Sequence, residues 1–130
     1  MTPLHPSDMI LIRHAPADHG GRLWGRGDPP AILPPEGQLA ALRQWLAPCA
    51  LVASPALRCR QTAEALFPGR APDCDPDLRE QDFGAHEGLR FQDLPDLGPL
   101  PRAALADYAG PGGESFADLH ARVAPALARI

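Results

Sequence analysis

The chain contains no lysine: all twelve of its basic residues are arginine. That excludes Schiff-base chemistry through a lysine amine, and it makes every fixed cation a planar fork suited to carboxylate or phosphate. Part of the bias is compositional, since Ala, Pro, Gly and Arg together make up 63 of the 130 residues. β-Branched aliphatics are scarce as well, with four Ile and two Val, so strands have to be read from the order of segments more than from propensity. No window of 18 apolar residues exists, which excludes a membrane-spanning helix, and Met1–Met9 holds no basic stretch ahead of an apolar one, which argues against a secretory leader. Cysteine is limited to Cys49, Cys59 and Cys74, an odd set without CxxC or Cys/His ligand spacing. Neither a disulfide framework nor a zinc site is expected, and a reduced, cytoplasmic setting is. The net charge of −4 argues against a nucleic-acid partner held by bulk attraction.

What remains is the composition of one globular domain, 130 residues with 45% hydrophobic and 22% charged. The 17 prolines exceed the usual share of about 5%, yet they are scattered and follow no Gly-X-Y period. Met9-Ile10-Leu11-Ile12 is a continuous apolar run, predicting a strand buried on both faces. Residues 15–35, dense in Gly and Pro, read as a long ordered loop. Leu39, Leu42 and Leu46 predict a helix over 36–47 that Pro48 ends. Leu51-Val52-Ala53 reads as a second strand, and Ser54-Pro55 as the cap and first residue of a helix running to Phe67. A short strand near Leu78 and a weak helix within 101–108 follow. Ser115 is expected to cap a last helix with Phe116, Leu119, Val123 and Leu127 on one face, kinked at Pro125. This order predicts an α/β domain with a parallel sheet.

Three places carry chemistry. Arg13-His14 ends the first predicted strand, where open α/β sheets gather ligands, and a histidine there can serve as base, acid or nucleophile. Arg58 falls in the first turn of the helix after Ser54, where free N–H groups and the helix dipole favour an anion. Two parallel strands ending near His14 and Arg58 would bring both to one sheet edge. The third place is Leu78–Gly88, whose Glu80, Asp82 and Glu87 are all candidates for a general acid, and the residues alone do not choose among them.

Taken in order, Arg13-His14-Ala15, Ser54-Pro55-Ala56-Leu57-Arg58-Cys59-Arg60-Gln61-Thr62-Ala63, Leu78-Arg79-Glu80 with Phe83-Gly84 and Glu87-Gly88, and Gly112-Gly113-Glu114-Ser115 resemble the histidine phosphatase superfamily. The closer likeness is to its phosphoglycerate-mutase-like branch, which includes α-ribazole phosphatases of cobalamin biosynthesis. Gly25, Asp28, Gly37 and Gln38 add to it, and the match spans roughly residues 9–123. The resemblance implies a three-layer α/β/α fold with a mostly parallel central sheet. It implies hydrolysis of a small phosphorylated metabolite, with α-ribazole 5′-phosphate the expected candidate, through a phosphohistidine. His14 would be the nucleophile, Arg13 and Arg58 would clamp the phosphoryl oxygens, Glu80 would protonate the leaving alcohol, and Gly25 would contribute to substrate binding. No metal or cofactor is implied, because arginines supply the positive field. Trp24, Arg26 and the 89–108 segment are candidates for holding the organic part.

The chain departs from the pattern at one point. Family members carry a second active-site histidine in a His-Gly motif on a further strand, and His5, His19, His86 and His120 do not replace it. The expectation is a single domain over 1–130, shortened at its C-terminus, with open sheet edges and exposed apolar surface that a second copy of the chain could cover. Two alternatives follow: a mutase that returns the phosphoryl group to a hydroxyl, and a catalytically silent phosphate-binding module.

Overall fold

Pro34 and Pro35 close the Gly/Pro-rich loop, and helix α1 (Glu36–Leu46) starts directly after them in the computed structural model, which describes residues 1–130. Leu39 and Leu46, two turns apart, turn inward together, whereas Leu42 is 38% exposed and leaves the expected stripe. Their partners are Leu66 and Phe67 at the end of α2 (Leu57–Leu66), with Trp45, Cys49, Leu51 and Ala65 packed around them. Burial of each such side chain contributes about 1.5–3 kcal/mol, so this α1–α2 contact is the principal core.

Between those helices lies β1 (Val52–Ala53), paired in parallel with β2 (Asp73–Cys74) in the register Val52↔Asp73 and Ala53↔Cys74. A parallel pair needs a crossover, and α2 supplies it, giving a β1–α2–β2 unit. The chain therefore has the expected α/β fold, with a small parallel sheet. Short 3₁₀ turns at Pro76–Leu78, Gly84–His86 and Phe91–Asp93 lead to α3 (Arg102–Asp107) and α4 (Phe116–Ala128).

Several expectations are corrected. Met9–Ile12 forms no ladder, and its side chains are exposed, Leu11 by 73%. An apolar run becomes a buried strand only when neighbours pair with it and cover it, and the β1–β2 ladder does not extend to it. The strand expected near Leu78 lies earlier, at Asp73–Cys74, because Asp75 accepts from the Asp77 N–H and turns 76–78 into a 3₁₀ helix. Helix α2 begins at Leu57 instead of after Ser54: the Ser54 hydroxyl accepts from the Ala56 N–H (3.3 Å), a turn and not a cap. Helix α4 is capped as expected, Ser115 and Asp118 forming a reciprocal capping box, and it continues past Pro125 to Ala128. Ala126 is its fully buried residue, while Phe116 is 56% exposed.

Candidate functional site

The loop over 15–35 is held by one face of α2. Ala15 N–H donates to Thr62 Oγ1 (2.9 Å), Leu57 N–H to Asp28 Oδ1 (3.0 Å), and Ala31 N–H to Gln61 Oε1 (2.7 Å). The Arg58 guanidinium donates to the carbonyls of Gly25 (3.0 Å) and Gly27 (3.1 Å). Leu57, Arg58, Gln61 and Thr62 share a face because their spacing is close to one helical turn. Asp28 thereby occupies the free N–H end of α2, where its charge suits the helix dipole. One of the N–H groups at that helix end is thus taken by a loop carboxylate.

Arg13, His14, Arg58 and Glu80 line one cavity of about 460 Å³. The His14 Nδ1 lies 2.6 Å from its neighbour's carbonyl, Ala15 O. A carbonyl only accepts, so Nδ1 is the donor, and in the neutral ring that tautomer leaves the lone pair on Nε2. Arg58 is buried, 3% exposed, with its position set by the two glycine carbonyls. Arg13 is exposed and forms no side-chain hydrogen bond or ion pair within the protein.

Thr62 joins the two halves of this arrangement. Its hydroxyl donates to Arg58 O (2.7 Å) while accepting from Ala15 N–H, and the Ala15 peptide in turn holds His14. Thr62→Val is expected to lower stability by about 1–3 kcal/mol by orphaning the Ala15 N–H, with Thr62→Ser retaining most of it. Denaturant midpoints of the two variants check this.

The three candidate carboxylates separate by position. Glu80 faces the cavity, its Oε1 accepting from the Gln81 N–H (2.8 Å). Asp82 accepts from the Gly84 N–H (2.9 Å) and shapes a turn. Glu87 accepts from the backbone N–H groups of Gly25 (3.0 Å), Arg26 (2.7 Å) and Gly27 (3.3 Å), so it is spent on anchoring the loop. Gly25 lies behind Arg58, outside the lining of the main cavity, and borders a smaller recess of about 80 Å³ that Glu80 shares. Gly is required there, since a Cβ would strike the Gln81 carbonyl and the Glu87 carboxylate.

The backbone that presents Glu80 is clamped from α4. Arg122 donates to the carbonyls of Asp77 (2.6 Å) and Arg79 (3.0 Å) and pairs with Glu114 (2.6 Å), while Arg26 donates to Glu80 O (3.2 Å). Glu114 also accepts from the Asp82 N–H (3.0 Å). Burial pushes the Glu114 carboxyl up, but the hydrogen bonds from Arg122 and Asp82 and the charges of Arg122 and Arg26 together hold it below its ordinary 4.5. A depressed carboxylate contributes stability that is present above its unfolded pKa and lost as pH falls through the folded one. Glu114→Gln is expected to cost about 1–3 kcal/mol at pH 7, with the gap to the parent closing below pH ~4. Thermal melts from pH 7 to 3 measure both.

Of the candidates for the organic part, Trp24 lines the cavity, Arg26 is turned to Glu80 O and Glu114, and Phe91 is the lining residue of the 89–108 segment. His19, set aside in the sequence as a second catalytic histidine, and Arg22, which the sequence did not single out, also line it. Both are placed by pairing of 21–23 with 88–91: Leu23 N–H donates to Leu89 O (2.9 Å), Gly88 N–H to Leu23 O (2.8 Å) and Phe91 N–H to Gly21 O (3.0 Å). No local pattern announces that pairing. Thr62 was findable, four residues after Arg58 on the same helical face. No cluster of three or more His, Cys, Asp or Glu side chains is arranged to hold a metal.

Residues 9–130 match the family model of the histidine phosphatase superfamily (branch 1). The bifunctional protein Rv2228c of Mycobacterium tuberculosis and the uncharacterised protein Mb2253c of Mycobacterium bovis are each 37% identical over 136 residues, covering 96% of this chain. The chain spans 37% of the length of those relatives. Among solved structures, TTHB049 of Thermus thermophilus superposes with a TM-score of 0.70 at 32% identity, over 92% of this chain and 70% of that one. The mycobacterial glucosyl-3-phosphoglycerate phosphatase Rv2419c, in complex with VO3, gives 0.70 at 29% identity, over 89% and 63%. The chain belongs to the histidine phosphatase superfamily, branch 1.

Proposed function

We propose that the chain forms the phosphoryl-transfer site of a phosphomonoester hydrolase acting on a small phosphorylated metabolite. The observation that carries this reading is the convergence of Arg13, His14, Arg58 and Glu80 on one cavity, with His14 presenting Nε2 as its free lone pair. A solved neighbour that is itself a phosphatase adds support.

His14 Nε2 attacks phosphorus as the bond to the leaving oxygen breaks, and Glu80, protonated, delivers its proton to that oxygen. Arg13 and Arg58 match the charge spreading over the three equatorial oxygens, Arg58 from a fixed position that requires no reorganisation. Water then attacks the phosphohistidine, Glu80 takes its proton, and His14 is regenerated. A hydroxyl replacing that water would give the mutase outcome. The exposure of the site favours water: Arg13, His19, Arg22, Glu80 and Phe91 are all exposed. The test is rapid quenching with a ³²P-labelled aryl phosphate. An acid-labile, base-stable phosphoenzyme with release of inorganic phosphate is expected. Phosphate binding without either would leave the silent module as the correct reading.

A further inference from the structure

Arg58 is a buried cation that takes part in none of the protein's ion pairs. An uncompensated buried charge is costly, so negative potential has to reach it by another route. The groups it touches are neutral: Nη2 donates to Gly25 O (3.0 Å) and Nη1 to Gly27 O (3.1 Å). Two of its five guanidinium N–H groups are spent in this way, and the rest remain for a ligand.

The negative charge lies one layer behind, on Glu87. Its Oε1 accepts from the N–H groups of Gly25 (3.0 Å) and Arg26 (2.7 Å), and its Oε2 from that of Gly27 (3.3 Å). Successive N–H groups turned to one carboxylate form an anion-holding nest. The Gly25–Arg26 peptide is the direct link. A trans peptide points its C=O and N–H in opposite directions, and here the carbonyl meets Arg58 while the N–H meets Glu87. One planar unit thus separates the cation from the carboxylate, and hydrogen bonds in such a chain polarise one another. Glu87 itself is absent from the cavity lining.

Glu87 is held in its turn. Its N–H donates to Gly84 O (3.1 Å), the next N–H, of Gly88, donates to Leu23 O (2.8 Å), and Ala85 N–H donates to Pro111 O (2.9 Å). His86 Nε2 lies 2.8 Å from the Tyr108 hydroxyl. We propose that Glu87 is a positioning residue for phosphoryl transfer: its charge, relayed through the 25–27 peptides, aims and compensates the Arg58 fork. The inference rests on the proposed function and deepens it.

Glu87→Gln tests the charge at nearly constant shape. The amide oxygen can replace Oε1, but the NH₂ group would face the Gly27 N–H, donor against donor. Aim matters most where charge spreads in the transition state, so kcat is expected to fall roughly 10- to 100-fold with KM held within about three-fold. In an Arg58→Met background the same change should cost less than about three-fold, since the group through which Glu87 acts is gone. An equal loss in both backgrounds, or no loss in the parent, would overturn the inference.

A second readout needs neither turnover nor an Arg58 variant. In ¹⁵N guanidinium NMR spectra the two Nη signals of Arg58 are expected to be resolved in the parent, because both carbonyl bonds hinder rotation, and to merge in Glu87→Gln. Signals unchanged by the substitution would overturn the inference whatever the rates. If the parent formed no phosphoenzyme and released no phosphate, the proposed function would fall, and the NMR comparison alone would decide whether Glu87 holds Arg58.

Discussion

Replacing His14 with alanine is expected to abolish the phosphoenzyme and to lower phosphomonoester hydrolysis on the order of 10⁴-fold or more, the scale seen when a covalent nucleophile is removed. The reason is positional as well as chemical. The ring is oriented by one short bond to Ala15 O, whereas the Nδ1 of the cavity's other histidine, His19, is occupied as acceptor of the Gly21 N–H. Because His14 is only half-buried and contributes that single hydrogen bond, the stability cost should stay near ~1 kcal/mol. Rapid-quench trapping and a thermal melt on the same sample separate chemistry from folding. A labelled phosphohistidine that persists in His14→Ala would take the nucleophilic role away from this residue.

Arg58→Ala is expected to fail in two ways at once. Loss of a preorganised donor at the phosphoryl oxygens should cost roughly 10²- to 10³-fold in turnover. Loss of the bonds to Gly25 O and Gly27 O should also cost about 2–4 kcal/mol of stability, because both carbonyls lose their buried partner. Arg13→Ala provides the contrast. Its guanidinium is exposed and bonded to nothing in the protein, so turnover should fall while the melting temperature holds. Turnover and denaturant midpoints of the two variants decide the matter. Equal destabilisation by both would contradict the division of labour between a built-in and a free cation.

The parts of this molecule that were legible in its sequence are those set by near neighbours. The start of α1 after Pro35 and the Ser115–Asp118 box each depend on residues within a turn of one another. The candidate site residues stood out as a group through four ordered motifs, and the structure brings Arg13, His14, Arg58 and Glu80 to one cavity. What escaped was long-range. Glu87 looks like any acid until its three N–H partners arrive from 60 to 62 positions away. Asp28 is a loop acid until Leu57 reaches it from 29 positions further on. Met9–Ile12 misled for the opposite reason: hydrophobicity states what a segment would gain from cover, not whether cover exists.

The fastening of the loop to α2 has a kinetic corollary. The amide protons of Ala15, Leu57 and Ala31 are each sheltered by a bond that spans the two elements. The segment that frames the cavity is therefore tied to the first two turns of the helix, and the two are expected to exchange with deuterium as one cooperative unit. Ligand that seats between them would slow all three protons together, so mouth and helix end open on a single clock.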